Sequence, residues 1–142
     1  MLTTVEEDGS LRSRPMAAHE LDPDGNLWFF TQLNVPKVHE VRHDQHVNVT
    51  FSDEEEYRWF SLSGRAEIVR DRARIEELWK PFLKTWFPNG KDDPELALLK
   101  VNVDRAEYWD EKSSPISVLM GFGKAVLTGE RSQAGIGHKV DL

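Results

Sequence analysis

Arg14, Phe30, Thr31 and Lys37 are the residues whose types and spacing could do chemistry together. Arg14 stands in "RSRPM", directly ahead of Pro15 and Met16. Proline cannot donate to a strand ladder, so this segment reads as an edge strand whose unpaired backbone can offer N–H and C=O groups to a flat polar ligand. In "LWFFTQLNVPK" the strand period sends Phe29 and Phe30 to opposite faces, so one enters the core while the other faces outward or lines a cleft. Thr31 then supplies a hydroxyl, and Lys37 an ammonium that suits a phosphate as a point charge. Taken singly, each residue also fits a plainer role: a surface arginine beside an edge proline, a core aromatic, a loop lysine. The order arginine, aromatic, threonine, lysine along adjacent strands is what points to a site.

A second constellation is "HEVRHDQH", in which His39, His43 and His46 stand at i, i+4 and i+7. On one helix these would share a face and could chelate a metal ion. His46 abuts the strand-like "VNVTF", however, and Asp44 and Gln45 read as a solvated helix end, so no metal is expected. A nucleophile has less support still, because the chain has no cysteine and no nucleophile elbow.

The elements that must position these residues are short and regularly punctuated. "EEDGS" and "DPDGN" place Asp-Gly between apolar segments, the signature of tight hairpin turns. They delimit strands over 2–6, 11–20 and 27–31. In "HVNVTF" Val47, Val49 and Phe51 alternate with polar residues as in a half-buried strand. "YRWFSLSGRAEIV" is a longer strand in which Gly64 marks a bulge or bend. From Asp71, a plausible N-cap, Ile75, Leu78, Trp79, Phe82 and Trp86 follow helical spacing, with Pro81 expected to end or kink the helix. "WFPNGKDDPE" reads as a loop, and "LALLKVNV" and "AEYWD" as two further strands. "SPISVLMGFGKAVLTG" reads as a closing helix weakened by Gly121 and Gly123, at ~1 kcal/mol each relative to alanine. The chain divides into one domain over 1–130 and a loose polar tail over 131–142. About seven short strands with one or two helices predict a mainly β, α+β fold. Its antiparallel sheet hides its edges by curling into a small barrel.

Bulk properties narrow the function. Eighteen basic against 25 acidic side chains give a net charge of -7, and the basic residues are scattered, which argues against nucleic acid as a partner. No apolar run approaches the ~18 residues of a membrane span, the first residues do not resemble a secretory signal, and the lack of cysteine fits a cytoplasmic protein.

Taken together, "MLTTVEEDGSLRSRPM", "LWFFT" followed six residues later by Lys37, "SLSGRAEIV", "LWKPFLKTWFPNGKDDPELALLKV" and "AEYWD" resemble the pyridoxamine 5'-phosphate oxidase-like proteins, most of all their general stress protein branch. The resemblance runs from Met1 to about Asp110. It implies an antiparallel split β-barrel of the FMN-binding type that forms a homodimer with flavin at the interface. It also implies a helix ahead of the first strand, so a missing N-terminal segment is expected. Matched residue by residue, Arg14 corresponds to an arginine near the flavin phosphate, with Pro15 and Met16 on the strand along the isoalloxazine ring. Phe30 and Thr31 correspond to an aromatic-threonine pair, with the hydroxyl on the phosphate side, and Lys37 to a phosphate-binding lysine. Trp109 corresponds to a tryptophan that reaches the flavin from the other subunit.

The chain departs from the oxidases in two places. Between Thr31 and Lys37 they carry a Ser-Arg pair where this chain has Val35 and Pro36, so two phosphate donors are missing. Beyond Trp109 they carry an arginine-histidine segment that grips pyridoxal phosphate, where this chain reads "DEKSSPISVLM". Pyridoxamine phosphate oxidase activity is therefore not expected. The resemblance implies FMN as cofactor, with FAD as an alternative. The protein is then an oxidoreductase of unknown substrate, a flavin-binding or storage protein without turnover, or a split barrel holding another flat cofactor such as haem or a deazaflavin.

Overall fold

Turn chemistry sets the first elements of the computed structural model, which describes residues 1–17, 21–110 and 137–141. Strands β1 (Leu2–Val5) and β2 (Leu11–Arg14) form an antiparallel hairpin around Gly9, whose φ of 83° is open to glycine at no steric cost. β2 stops at Arg14 because Pro15 cannot extend the ladder, short of the expected end at 20. A second tight turn closes with Gly25 N–H donating to Asp22 O at 3.0 Å. It makes no hairpin with β2, because β3 (Asn26–Gln32) pairs instead with a strand some 70 residues further on.

After β3 come α1 (Pro36–His43), β4 (His46–Asp53), β5 (Arg58–Val69), α2 (Arg72–Leu78), a 3-10 turn (Pro81–Thr85), β6 (Leu96–Asp110) and β7 (Gly137–Asp141). Asp71 caps α2 as its residue type suggests, accepting from Ala73 N–H at 2.9 Å and Arg74 N–H at 3.2 Å. The helix is shorter than the apolar spacing predicts. It ends at Leu78, and beyond Pro81 the chain turns so that Phe82 and Trp86 are 53% and 60% exposed instead of lying on its buried face.

β6 is one continuous strand, not the two expected, because β5 runs alongside it from Leu98 to Asp110. The register shifts between Ser63 and Gly64, leaving Asp104 on β6 as the extra residue of a bulge. Gly64 is required there by close approach: a Cβ would lie 2.0 Å from the Asn102 carbonyl oxygen. β7, within the segment expected to be loose, pairs antiparallel with β6. The closing helix expected over the "SPISVLMGFGKAVLTG" segment lies outside the described residues.

The sheet order is β2-β1-β4-β5-β6-β3, with β7 also on β6. Leu2 of β1 and Phe29 of β3 come from strands near opposite ends of this order, yet both pack in one cluster with Val49, Leu62 and Leu99. A flat sheet could not bring them together, so the sheet curls into a barrel whose seam lies between β2 and β3. The outer face of β3 and β6 carries a second cluster, in which Trp28, Phe30 and Leu98 are covered by Ile75 of α2 and Leu83 of the 3-10 turn. Among the described residues no helix is long and apolar enough to cross a membrane.

Candidate functional site

A cleft of about 510 Å³ opens beside the seam, where the chain leaves β2, where β3 ends and where α1 begins. Pro15, Met16 and Ala17 form one wall as the chain leaves the sheet edge, and Phe30, Thr31 and Gln32 form the floor at the end of β3. Val35 and Lys37 border it at the start of α1, and Leu83, Trp86 and Phe87 close it from the 3-10 turn. Five of the seven residues singled out in the sequence thus line one cavity: Pro15, Met16, Phe30, Thr31 and Lys37.

Phe30 is held edge-on by Trp79, with ring centroids 5.6 Å apart and planes at 84°. Its ring also lies 6.0 Å from that of Phe87, so the floor of the cleft is continuous with the second core. Both phenylalanines of the pair are buried, Phe29 in the barrel and Phe30 in the outer cluster, as strand alternation requires. Thr31 is buried, and its hydroxyl donates to Gln32 O at 3.3 Å.

Lys37 is half-buried in the first turn of α1. That helix starts at Val35 with no side-chain cap and has no acidic residue in its first turn, so its positive dipole end is uncompensated. Among the described residues no carboxylate forms an ion pair with the Lys37 ammonium. Burial, reinforced by the Arg14 cation and opposed by Glu40, lowers its pKa below the ordinary lysine value.

Arg14 is absent from the cleft wall and is engaged behind it. Its Nη2 donates to Glu40 Oε2 at 2.6 Å and its Nη1 to Thr4 Oγ1 at 2.8 Å, while the Thr4 hydroxyl donates to the same Glu40 oxygen at 2.5 Å. Burial would raise the Glu40 pKa, but the hydrogen bonds from Thr4 and Arg14 and the charges of Arg14 and Arg12 outweigh it and hold the carboxyl below its usual range. Trp109 stands opposite Trp59 in the β5–β6 ladder and lines a different recess with Met1, Phe51 and Phe60. The structure therefore does not bring Trp109 into the cleft of its own chain.

His39 and His43 lie exposed on α1, and His46 lies exposed on β4 beyond the helix, with its Nδ1 2.7 Å from Asp44 Oδ1. Among the described residues no three histidine, aspartate or glutamate side chains cluster as metal ligands would. Leu83, Trp86 and Phe87 are cleft residues that the sequence reading misses, because their spacing fits a helix and its following loop. The signal was Pro81: apolar residues beyond a helix-ending proline need another surface to pack on.

Comparison with known proteins agrees with this architecture. Protein bli-3 of Neurospora crassa is 29% identical over 139 residues, covering 92% of this chain, which spans 66% of the length of that relative. The general stress FMN/FAD binding protein of Xanthomonas citri superposes with a TM-score of 0.65 at 29% identity, covering 94% of this chain and 88% of the other. General Stress Protein 26 of Bacillus anthracis gives a TM-score of 0.67 at 27% identity, covering 75% and 80% of the two chains. The fold is the antiparallel split barrel of these proteins. The sequence model of the family described as pyridoxamine 5'-phosphate oxidase like matches residues 1–133, nearly the whole chain, and the chain belongs to that family.

Proposed function

We propose that the protein binds a flavin, FMN or FAD, in the cleft at the barrel seam. The observation that carries this reading is one cleft with largely apolar walls and, at one end, a half-buried ammonium with which no carboxylate among the described residues forms an ion pair. Its volume of 510 Å³ falls within the range of ~300–1,000 Å³ usual for small-molecule sites. Pro15, Met16, Phe30, Trp86 and Phe87 suit a planar heteroaromatic ring, and Lys37 with Thr31 suits a phosphate. The relative from Xanthomonas citri, described as FMN/FAD binding, supports the same assignment.

Arg14 and Trp109 enter this reading at one remove. Arg14 lies behind the cleft wall, paired with Glu40. Trp109, outside the cleft on its own chain, meets the ring from a second copy in a homodimer with flavin at the interface.

When bound, flavin supplies electron transfer, and the chain's own task is to bind the ring, orient it and shield one face from water. Lys37 is the one ionisable side chain on the described cleft wall, so the wall offers no acid–base pair. That favours a second reading beside an oxidoreductase of unknown substrate: a protein that binds or stores flavin without turnover.

Purified protein mixed with FMN or FAD should show the absorption spectrum of bound flavin. Uptake of neither would refute the assignment and direct attention to another flat cofactor such as haem or a deazaflavin. Anaerobic NADH or NADPH separates the two readings, since prompt bleaching supports an oxidoreductase and persistent yellow colour a binder.

A further inference from the structure

Glu40 is a buried carboxylate at the one end of the cleft where positive charge gathers, and it is not on the cleft wall. Its Oε2 takes hydrogen bonds from Arg14 at 2.6 Å and Thr4 at 2.5 Å, and Arg14 also donates to Thr4, closing a ring of three side chains. Its Oε1 faces Arg12 at 3.5 Å. Each terminal nitrogen of Arg14 is therefore engaged. Lys37, one turn earlier on α1, has no such partner among the described residues. The first turn of α1 adds little: Pro36 has no N–H, and the Val38 N–H is taken by Val35 O at 3.0 Å. Among the described residues, an anion at this end of the cleft thus meets one ammonium, the N–H of Lys37 and the Thr31 hydroxyl, while the second cation is paired from behind with Glu40.

We propose that Glu40 is a positioning residue that holds Arg14 off the anionic end of the ligand. The cleft then retains a flavin through its ring and sugar alcohol more than through its phosphate, and it prefers FMN to riboflavin by no more than about tenfold. This rests on the flavin reading above. It assigns to Glu40 a selectivity that its burial alone does not require.

The test is a pair of titrations, with riboflavin and with FMN, read as the ratio of the two affinities. For the unaltered protein the preference for FMN should not exceed about tenfold, the lower end of what one charge-assisted contact provides. Glu40→Gln keeps an acceptor for Thr4 and Arg14 but frees the guanidinium charge, and it should raise the FMN-to-riboflavin ratio by about tenfold. An unchanged ratio, or equal losses for both ligands, would assign Glu40 a purely structural role and overturn the proposal.

Glu40→Gln leaves a partly buried arginine without its counter-charge, which threatens folding. The double variant Arg14→Gln/Glu40→Gln removes both charges and keeps a neutral hydrogen-bonding pair. Its ratio should stay within about twofold of the unaltered protein, whereas a fall of about tenfold would show that Arg14 already serves the phosphate. Binding of neither ligand by the unaltered protein would refute the flavin assignment itself, and this proposal with it.

Discussion

The two faces of β3 do different work. Phe29, 1% exposed, enters a barrel closed by residues of β1, β4, β5 and β6. Phe30, its neighbour in sequence and 4% exposed, enters a cluster covered by a seven-residue helix and a five-residue 3-10 turn. The inward face is sealed by paired strands, whose backbone groups satisfy one another. The outward face is covered by these two short elements, and where that cover ends at Trp86 the cleft begins. A single strand can therefore anchor the core and floor a binding site, because alternation separates the two roles by one residue. The less densely covered face is the one that can accommodate a ligand.

Substitutions on the two faces should separate stability from binding. The largest effect is expected for Phe29→Ala, which opens a cavity in the barrel. It should lower unfolding free energy by ~3–5 kcal/mol in denaturant titrations while leaving ligand affinity of the folded protein nearly unchanged. If Phe29→Ala abolished binding without loss of stability, the division between the faces would fail.

Lys37→Ala should do the reverse. FMN affinity should fall by about tenfold and riboflavin affinity should hardly change, because only FMN carries the phosphate. Equal losses in calorimetric titrations would show that Lys37 does not anchor a phosphate.

A smaller loss is expected for Trp86→Ala, at ~0.5–1.5 kcal/mol of flavin affinity if the indole contacts the ring. Its stability should stay within ~0.5 kcal/mol, since the side chain is 60% exposed. Fluorescence quenching by bound flavin in this variant and in the unaltered protein would locate the contact.

The subtlest test is alkaline pH. Folding holds the Lys37 pKa below its ordinary 10.5, so between the lowered value and 10.5 the unfolded chain binds more protons than the folded one. The desolvation penalty on this ammonium is fully present below the lowered pKa. It is relieved as pH rises through that pKa towards 10.5, so this group makes the free protein more stable. FMN affinity should fall over the same window, because the phosphate needs the ammonium charged. Riboflavin affinity should be insensitive, and parallel loss for both ligands would break the link between Lys37 and the phosphate.

Much of the site was legible in the chain. Pro15 ends β2 and leaves an edge, alternation splits Phe29 from Phe30, and Lys37 follows Thr31 by six positions across the β3–α1 connection. Each is a local feature of the chain, and Pro15, Phe30, Thr31 and Lys37 meet in the cleft. Arg14 and Trp86 could not be placed in this way. The partner of Arg14 is Glu40, 26 residues further along the chain, and which anion it meets depends on how α1 packs over β1 and β5. Trp86 fits a helical spacing that Pro81 breaks, and its position at the cleft depends on where the 3-10 turn lands.

By itself the sequence determined the local events: the Asp-Gly turns, the Asp71 cap, the strand alternation and the resemblance that pointed to a split barrel. These depend on residues a few positions apart, whose preferences survive in any context. Tertiary structure alone decided that β3 pairs with β6 and not β2, that β6 runs unbroken past Asp104, and that Trp109 stands apart from the cleft. It also decided that Glu40 answers Arg14 while Lys37 faces the cleft with no ion-pair partner among the described residues. Those outcomes turn on contacts between distant residues, where packing and desolvation choose among partners that local sequence leaves equivalent.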